Sequence, residues 1–197
     1  MEKSMMTEMK LVEEPRKPIS MHPKKFAMWL FMATVMMLFA SLTSAYIVRQ
    51  AEGNWLYFEL PALFYYTSAI VLVSSFTMQW AYFAARRDKI QQVRTLVIIT
   101  SILGVAFLVG QLLAWGALVR SSVYFVGNPS GSFLYVLTGL HGLHVVSAVV
   151  FLLIVLNSAV RSRIHSRNMA QMEMCTTYWH FLGGLWIYLF VFFVLNQ

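Results

Sequence analysis

The stretch TGLHGLH, residues 138–144, lies inside an apolar segment that extends from about residue 133 to residue 157. A second polar cluster, YWHF at residues 178–181, lies inside the last apolar segment of the chain. Lipid disfavours histidine, so His141, His144 and His180 need partners within the protein. From the residues alone two interpretations are open: the imidazoles ligate a metal or haem, or they hydrogen bond between packed helices.

Apolar segments of this kind recur along the chain and define its fold class. The 197 residues are 59% hydrophobic and only 12% charged, and a bilayer needs about 20 apolar residues for each helical span. We therefore predict an all-α integral membrane bundle of five transmembrane helices, with a polar tail at residues 1–24 and one membrane domain at residues 25–197. The predicted spans cover about residues 25–48, 60–85, 95–119, 133–157 and 176–196.

The distribution of positive charge predicts how the chain crosses the membrane. Thirteen of the fifteen Lys and Arg residues lie in the tail, between spans two and three, or between spans four and five. Only Arg49 and Arg120 lie on the other side, so the positive-inside rule predicts a cytoplasmic N-terminus and a periplasmic C-terminus. This asymmetry explains the net charge of +7 without a nucleic-acid partner. The first apolar segment is too long for a signal-peptide core, and we expect it to be retained.

Between the ends of the predicted spans the chain has no Asp, Glu, Lys or Arg, while Glu59 and Glu173 lie at the edges. Proton relays usually contain carboxylates within the membrane, so this chain alone is not expected to conduct protons. Glycines and uncharged polar residues instead predict close helix packing and hydrogen bonds between helices. They are Thr34, Ser41, Thr43, Ser44, Ser74, Ser75, Thr77, Gln79, Gln111, Thr138 and Ser147, with Gly104, Gly110, Gly139, Gly142, Gly183 and Gly184.

The spacing of the histidines bears on the cofactor interpretation. His141 and His144 are three residues apart, which places them on one helix face. With a rise of ~1.5 Å per residue, His180 is displaced along the membrane normal by roughly 9 Å from His144 and roughly 15 Å from His141. A shared ligand pair is therefore disfavoured, and a haem held by His141 or His144 is kept as an alternative. His22 and His165 lie in polar segments and are expected to be solvated.

We find no sequence pattern of an active site belonging to this chain. Zinc-hydrolase, phosphate-loop and serine-hydrolase motifs are missing from the sequence, and the single cysteine, Cys175, is interpreted as a small apolar helix residue. A secondary transporter is disfavoured because the spans show no internal repeat. The aromatic side chains of the last span are expected to face lipid or partner helices: Trp179, Phe181, Trp186, Tyr188, Phe190, Phe192 and Phe193.

The order and spacing of several motifs resemble subunit III of the haem–copper terminal oxidases, in its five-helix bacterial type. MWLFMA at residues 28–33 and LFA at 38–40 are similar to the family's Gly-Met-Trp-Leu-Phe-x-Ala-Ser-Glu-x-Met-Leu-Phe helix. FELP at 58–61 with SSFT at 74–77, and LG at 103–104 with Gln111, resemble the next two helices. The most specific parts are residues 133–145 and 173–190, where Glu173, the YWHF motif and Trp186 keep the family's spacing.

This resemblance implies a function without chemistry in the chain itself. The chain would be a non-catalytic subunit of a bacterial cytochrome c oxidase, a proton-translocating complex of aerobic electron transport. It would pack against subunit I, share the complex with subunit II, bind phospholipids and support proton uptake. Haem and copper are expected in the partner subunits, none in this chain, and the expected location is the bacterial inner membrane.

Two alternatives stay open at this point: the equivalent subunit of a quinol oxidase or nitric-oxide-reductase system, and a haem-binding membrane protein that uses His141 or His144. The sequence does not decide the electron donor, the lipid, the organism or membership of a respiratory supercomplex.

The resemblance also singles out individual residues. Those expected to serve structural, lipid or subunit contacts are His141, His144, Glu173, Tyr178, Trp179, His180, Trp186 and Gln111. Three positions depart from the family pattern. Val35 and Ala114 stand where glutamates are usual, and Gly183 stands where an aspartate is usual. Because all three changes remove a carboxylate, they put in doubt a proton-collecting role for the interior of this chain.

Overall fold

The structure is a computed structural model that describes residues 23–160 and 169–196. All the helices of this part of the chain are long and apolar enough to cross a membrane. They are α1 (Pro23–Ala51), α2 (Leu63–Arg86), α3 (Ile90–Arg120), α4 (Pro129–Val160) and α5 (Ala170–Leu195). The described residues contain no strand. The predicted all-α bundle of five membrane helices is therefore confirmed, while the orientation of its termini stays a prediction.

The helices extend beyond several of the predicted spans. α3 begins at Ile90 rather than at residue 95, and α5 begins at Ala170 rather than at residue 176. Hydropathy locates the part of a helix that lies in lipid, whereas backbone hydrogen bonding continues into the polar flanks. At α2 the difference has the opposite sign, because the helix begins at Leu63 and not at residue 60. The predicted tail up to residue 22, which includes His22, and His165 lie outside the described residues.

α5 is the central helix and α1 the peripheral one. α5 packs against α1, α2 and α4, whereas α1 packs only against α4 and α5 among the described helices. The most apolar window of α5 is 44% buried within the bundle, compared with 22% for α1. α2 and α3 form the most extensive pair, and α4 packs against α3. An apolar helix with neighbours on several sides has little surface left for lipid, and α5 carries more buried residues than any other described helix.

An arginine side chain ties one end of α3 to the end of α4. The guanidinium of Arg94 donates to the carbonyl oxygen of Ala159 at 3.1 Å and to that of Val160 at 2.9 Å. These are terminal carbonyls of α4, which have no partner within their own helix. The positive charge also lies at the negative end of the helix dipole of α4. The contact therefore caps α4 and fixes its register against α3.

Two glycines of α3 allow side chains of other helices to approach its backbone closely. A Cβ atom at Gly110 would lie 2.5 Å from Cγ2 of Thr67, and one at Gly104 would lie 2.7 Å from Cη2 of Trp179. Close approach through small residues is the usual packing mode of membrane helices, so the predicted role of these two glycines is confirmed. Gly184, predicted in the same set, is exposed and has nothing within 4 Å of a built Cβ.

We predict that Gly110→Ala destabilises the bundle and that Gly116→Ala, in the same helix, does not. Oγ1 of Thr67 donates to the carbonyl oxygen of Phe64 at 3.1 Å and accepts from Nε2 of Gln111 at 3.0 Å, so the side chain cannot rotate away from the added methyl group without breaking these hydrogen bonds. Overpacking of this kind typically costs about 1–3 kcal/mol. A Cβ at Gly116 meets no atom within 4 Å. Thermal unfolding of the purified chain, with size-exclusion chromatography as the readout, measures the difference in stability between the two variants. Equal midpoints of thermal unfolding would contradict the packing of α2 on α3.

Candidate functional site

The centre of the bundle contains a pair of hydrogen bonds between tryptophans of α5 and serines of α2. Nε1 of Trp186 donates to Oγ of Ser68 at 2.9 Å, and Nε1 of Trp179 donates to Oγ of Ser74 at 3.2 Å. Both indoles are buried, Trp186 completely. Each serine hydroxyl donates its own proton to a carbonyl within α2, to Phe64 at 2.8 Å or to Val71 at 2.7 Å. The serine oxygens can therefore act as acceptors for the indoles, and each indole N–H and each serine O–H has an acceptor.

Three further side chains of α5 bond to three different helices. The hydroxyl of Tyr178 lies 2.8 Å from Oγ of Ser147 in α4, and that of Tyr188 lies 2.9 Å from Oγ1 of Thr43 in α1. Nε2 of His180 lies 3.0 Å from Oε1 of Gln79 in α2. Because a carbonyl oxygen only accepts, this ring nitrogen of His180 carries the proton. We call these bonds, together with the two indole–serine pairs, the polar seam of α5.

The neighbouring helices are joined in the same way. Nε2 of Gln111 in α3 donates to Oγ1 of Thr67 in α2 at 3.0 Å, and Nε1 of Trp115 donates to Oγ1 of Thr138 in α4 at 3.0 Å. The predicted hydrogen bonds between helices are thus confirmed for Gln111 and Thr138. They are wrong for Thr34 and Ser41, which lie on the exposed face of α1 and bond to carbonyls of their own helix. The sequence of α1 does not show which face of this helix packs against the other helices.

An ion pair joins α5 to α1 at one end of the bundle. Nζ of Lys25 lies 2.6 Å from Oε2 of Glu173, with side-chain exposures of 31% and 45%. At this exposure an ion pair contributes about 0–1 kcal/mol, so its main effect is to align the first turns of the two helices. Glu173 was singled out from the sequence, whereas its partner Lys25 is the first residue of the first predicted span and was not singled out.

The structure separates the three membrane histidines into two environments. His141 is buried, and His144 is half-buried; both rings contact Phe39, with ring centroids at 6.4 Å and 5.9 Å. Their predicted common face is therefore confirmed. His180 contacts Gln79 of α2 instead. In the part of the chain that the structure describes, no three His, Cys, Asp or Glu side chains are grouped closely enough to hold a metal ion.

The ring of His141 is surrounded by aromatic side chains from three helices. Its centroid lies 5.1 Å from that of Trp186, 5.8 Å from that of Phe107 and 6.4 Å from that of Phe39. Trp186 in turn contacts Phe107 at 4.9 Å and stacks on Phe64 at 6.0 Å with an interplanar angle of 10°. We call this group, formed by His141, Trp186, Phe107, Phe39 and Phe64, the aromatic cluster. It joins all five helices at one point.

The expectation that the aromatic residues of α5 face outward is wrong for three of them. Trp179, Trp186 and Phe193 are buried within the bundle, whereas Tyr188 is 47% exposed. The error has a simple cause: α5 is apolar on every side, so its composition does not distinguish the covered face from the lipid face.

Of the eight residues singled out from the sequence, five are buried inside this chain: His141, Tyr178, Trp179, Trp186 and Gln111. These five contact other helices of the same chain. Their role in a larger assembly stays a prediction.

Sequence reasoning missed two acceptors of this network, Thr67 and Ser68. A signal for them exists, because Thr67-Ser68 precedes Ser74-Ser75 by seven residues. That spacing keeps both pairs on one helix face. A polar stripe in an otherwise apolar membrane helix points towards its covered side.

The three positions where the resemblance leads us to expect carboxylates all lie inside the bundle. Val35 is 3% exposed and Ala114 is fully buried. Gly183 faces α2, because a Cβ built on it would lie 3.1 Å from Oγ of Ser75 and 3.3 Å from Cγ1 of Val71. A charged carboxylate at such a place needs a strong local partner to offset its desolvation. The uncharged residues of this chain avoid that requirement.

Comparison with known proteins agrees with this architecture. A family model described as "Cytochrome c oxidase subunit III" matches residues 54–196. The chain is 31% identical over 180 residues to the "Probable cytochrome c oxidase subunit 3" of Nocardia farcinica. The matched region covers 84% of this chain and 85% of that protein. It is 31% identical over 169 residues to the "Cytochrome c oxidase subunit 3" of Corynebacterium diphtheriae, with 82% of each chain covered. It is also 27% identical over 172 residues to the "Probable quinol oxidase subunit 3" of Staphylococcus saprophyticus, with 84% and 85% covered.

Fold and site together define a multi-pass membrane protein whose interior polar groups bond mainly to its own helices. The chain belongs to the subunit III family of the haem–copper oxidases, and such a subunit is associated with other subunits of an oxidase complex.

We predict that Trp186→Phe lowers the stability of the bundle and that Trp80→Phe leaves it unchanged. Trp186→Phe removes the hydrogen bond to Ser68 and keeps most of the aromatic contact; such a bond contributes about 0.5–1.5 kcal/mol. Trp80 is 66% exposed, so the same change there affects only the outer surface. The midpoint of thermal unfolding in one detergent measures both variants. A larger effect of Trp80→Phe would contradict the central position of α5.

Proposed function

We propose that this chain is the non-catalytic subunit III of a bacterial haem–copper oxidase in the cytoplasmic membrane, packed against the catalytic subunit I. The observation that supports this most directly is the match of the family model over residues 54–196. The site supports the same proposal. The side chains of the polar seam of α5 form their hydrogen bonds within the chain, so we infer that they stabilise the bundle and do not hold a substrate.

The proposed role is mechanical support of the partner's chemistry. A rigid bundle of uncharged helices can hold neighbouring helices and lipids in place, and thereby keep a proton-uptake path of the partner in register. The buried Val35, Ala114 and Gly183 favour this indirect role over proton collection through the interior of this chain. Relatives named for cytochrome c and for quinol as donors leave both classes of oxidase as candidates, and the larger number of cytochrome c names among those compared favours the first.

Purification through an affinity tag on this chain tests the proposal. We expect a haem–copper subunit and a second oxidase subunit to copurify, with haem absorbance in the complex. The full-length chain purified alone should show no Soret band, because we expect haem only in the partner. A complex without a haem–copper subunit would refute the proposal, and a Soret band that His141→Ala or His144→Ala abolishes would establish the haem-protein alternative.

We predict that His180→Ala reduces the yield of assembled complex, while His144→Ala does so much less. His180→Ala removes a hydrogen bond between α5 and α2, whereas Nδ1 of His144 bonds at 2.7 Å to Leu140 of its own helix. Neither change should alter the haem spectrum per assembled complex. The ratio of copurified subunits to tagged chain measures assembly. A changed haem spectrum in either variant would contradict the supporting role.

The proposed lipid contact has a candidate location between α1 and α4. A groove of about 860 Å³ there is lined by small and apolar residues along α1 and is bordered by Arg49 at its end. Nη1 of Arg49 lies 3.0 Å from Oε2 of Glu52, and the arginine is only half-buried. The same nitrogen donates to the carbonyl oxygen of Gly53 at 3.4 Å. A guanidinium offers five donors, more than these two contacts use, so it can also bind the phosphate of a lipid whose acyl chain follows the groove.

We predict that Arg49→Gln lowers the amount of phospholipid retained by the purified complex. Arg120→Gln is the matched control, since Arg120 is an exposed arginine at the end of α3 that does not border the groove. Native mass spectrometry or lipid extraction after extended detergent washing gives the number of lipids per complex. Equal lipid loss in the two variants would show that the groove is not the site of retention.

A further inference from the structure

Next to the aromatic cluster the bundle contains a small internal cavity of about 20 Å³. Side chains of α2, α3, α4 and α5 line it, among them Ser74, Phe107, His141 and Trp179, together with Gly104 and Gly183. None of its lining residues carries a formal charge at neutral pH. A water molecule needs about 10–15 Å³ of such space. The cavity is therefore large enough for one water and too small for a haem, a quinone or a lipid chain.

The imidazole of His141 is a buried polar group without a hydrogen-bond partner among the described residues, and Oε1 of Gln111, which does not line the cavity, is another such atom. His141 is 1% exposed, and neither Nδ1 nor Nε2 has a partner in the part of the chain that the structure describes. The aromatic rings around it present carbon atoms, which neither donate nor accept a conventional hydrogen bond. Buried polar groups are nearly always paired with protein or with ordered water. An apolar occupant of the cavity would leave both ring nitrogens unpaired, whereas a water molecule would pair with one of them.

Ser74 supplies the second partner that a bound water requires. Its hydroxyl proton goes to the carbonyl of Val71 at 2.7 Å, and one lone pair accepts from Nε1 of Trp179 at 3.2 Å. A hydroxyl oxygen has two lone pairs, so one remains as an acceptor. A neutral imidazole likewise has one bare nitrogen that accepts and one N–H that donates. One water can thus bond to a ring nitrogen of His141 and donate to Ser74, which satisfies the minimum of two partners.

We propose that this cavity is a binding site for one ordered water molecule, held between the imidazole of His141 and the hydroxyl of Ser74. The water completes the junction of α2, α4 and α5 at the place where Gly183 leaves space. The volume of the cavity accommodates one water molecule. The site requires only the folded chain, and the identity of the electron donor or of the partner subunits does not enter.

A density map of the assembled complex at a resolution that shows ordered waters tests this site. We expect a peak within hydrogen-bonding distance of a ring nitrogen of His141 and of Oγ of Ser74. Ser74→Ala should remove the peak. Ser68→Ala is the matched control: it also deletes one serine that accepts from a tryptophan of α5, at 2.9 Å, but Ser68 does not line the cavity. In that variant the peak should persist.

Each outcome of this experiment either supports the water site or overturns it. A peak in the unmodified chain and in Ser68→Ala, lost in Ser74→Ala, supports the site. An empty cavity beside a well-ordered His141, a His141 ring turned onto a protein acceptor, or a peak that survives Ser74→Ala would each overturn it. If Ser74→Ala does not assemble, the map of the unmodified complex decides alone. Any assembly that contains this chain serves for the measurement, so the result does not depend on whether the proposed function is correct.

Discussion

A polar side chain inside a membrane bundle must find its partner within the protein, because lipid offers none. In this chain that constraint falls most heavily on α5, whose indoles, tyrosines and histidine would be costly to bury unpaired. Hydroxyl groups of α2 supply these partners: Ser68 and Ser74 each accept a hydrogen bond from a tryptophan of α5 while donating to a carbonyl of their own helix. The position of α5 against α2 follows from these pairs, and the other helices pack around that contact.

The same pairing of uncharged groups extends through the part of the bundle that the structure describes. Many of its interior hydroxyl, amide and indole groups are paired with one another without formal charge. The charged contacts lie near the helix ends, as Lys25–Glu173 and Arg94 with the last carbonyls of α4 show. A body of this kind can change a neighbour's stability or water access through shape alone. Its family membership gives that neighbour an oxidase chemistry.

The loss of the family's carboxylates is consistent with this organisation. Val35, Ala114 and Gly183 lie inside the bundle, where each carboxylate would need a partner of its own. The chain fills two of these places with apolar side chains and leaves space at the third. His141, buried beside that space among aromatic rings, has no hydrogen-bond partner at either ring nitrogen among the described residues.

The sequence by itself determined the number of helices, their approximate limits and the family, because hydropathy, charge asymmetry and motif spacing are properties of the chain in order. It also marked His141, His144 and His180 as polar groups in need of partners, and the family resemblance singled out Gln111, Tyr178, Trp179 and Trp186 for structural, lipid or subunit contacts.

Only the tertiary structure decided which partners those are. Thr67 and Ser68 became acceptors, Trp179 and Trp186 turned inward, and Thr34 and Ser41 turned outward, since a helix that is apolar on all sides carries no signal for its covered face. That face is chosen by the geometric fit of neighbouring helices, such as Thr67 against Gly110, and such a fit exists only once the helices have packed.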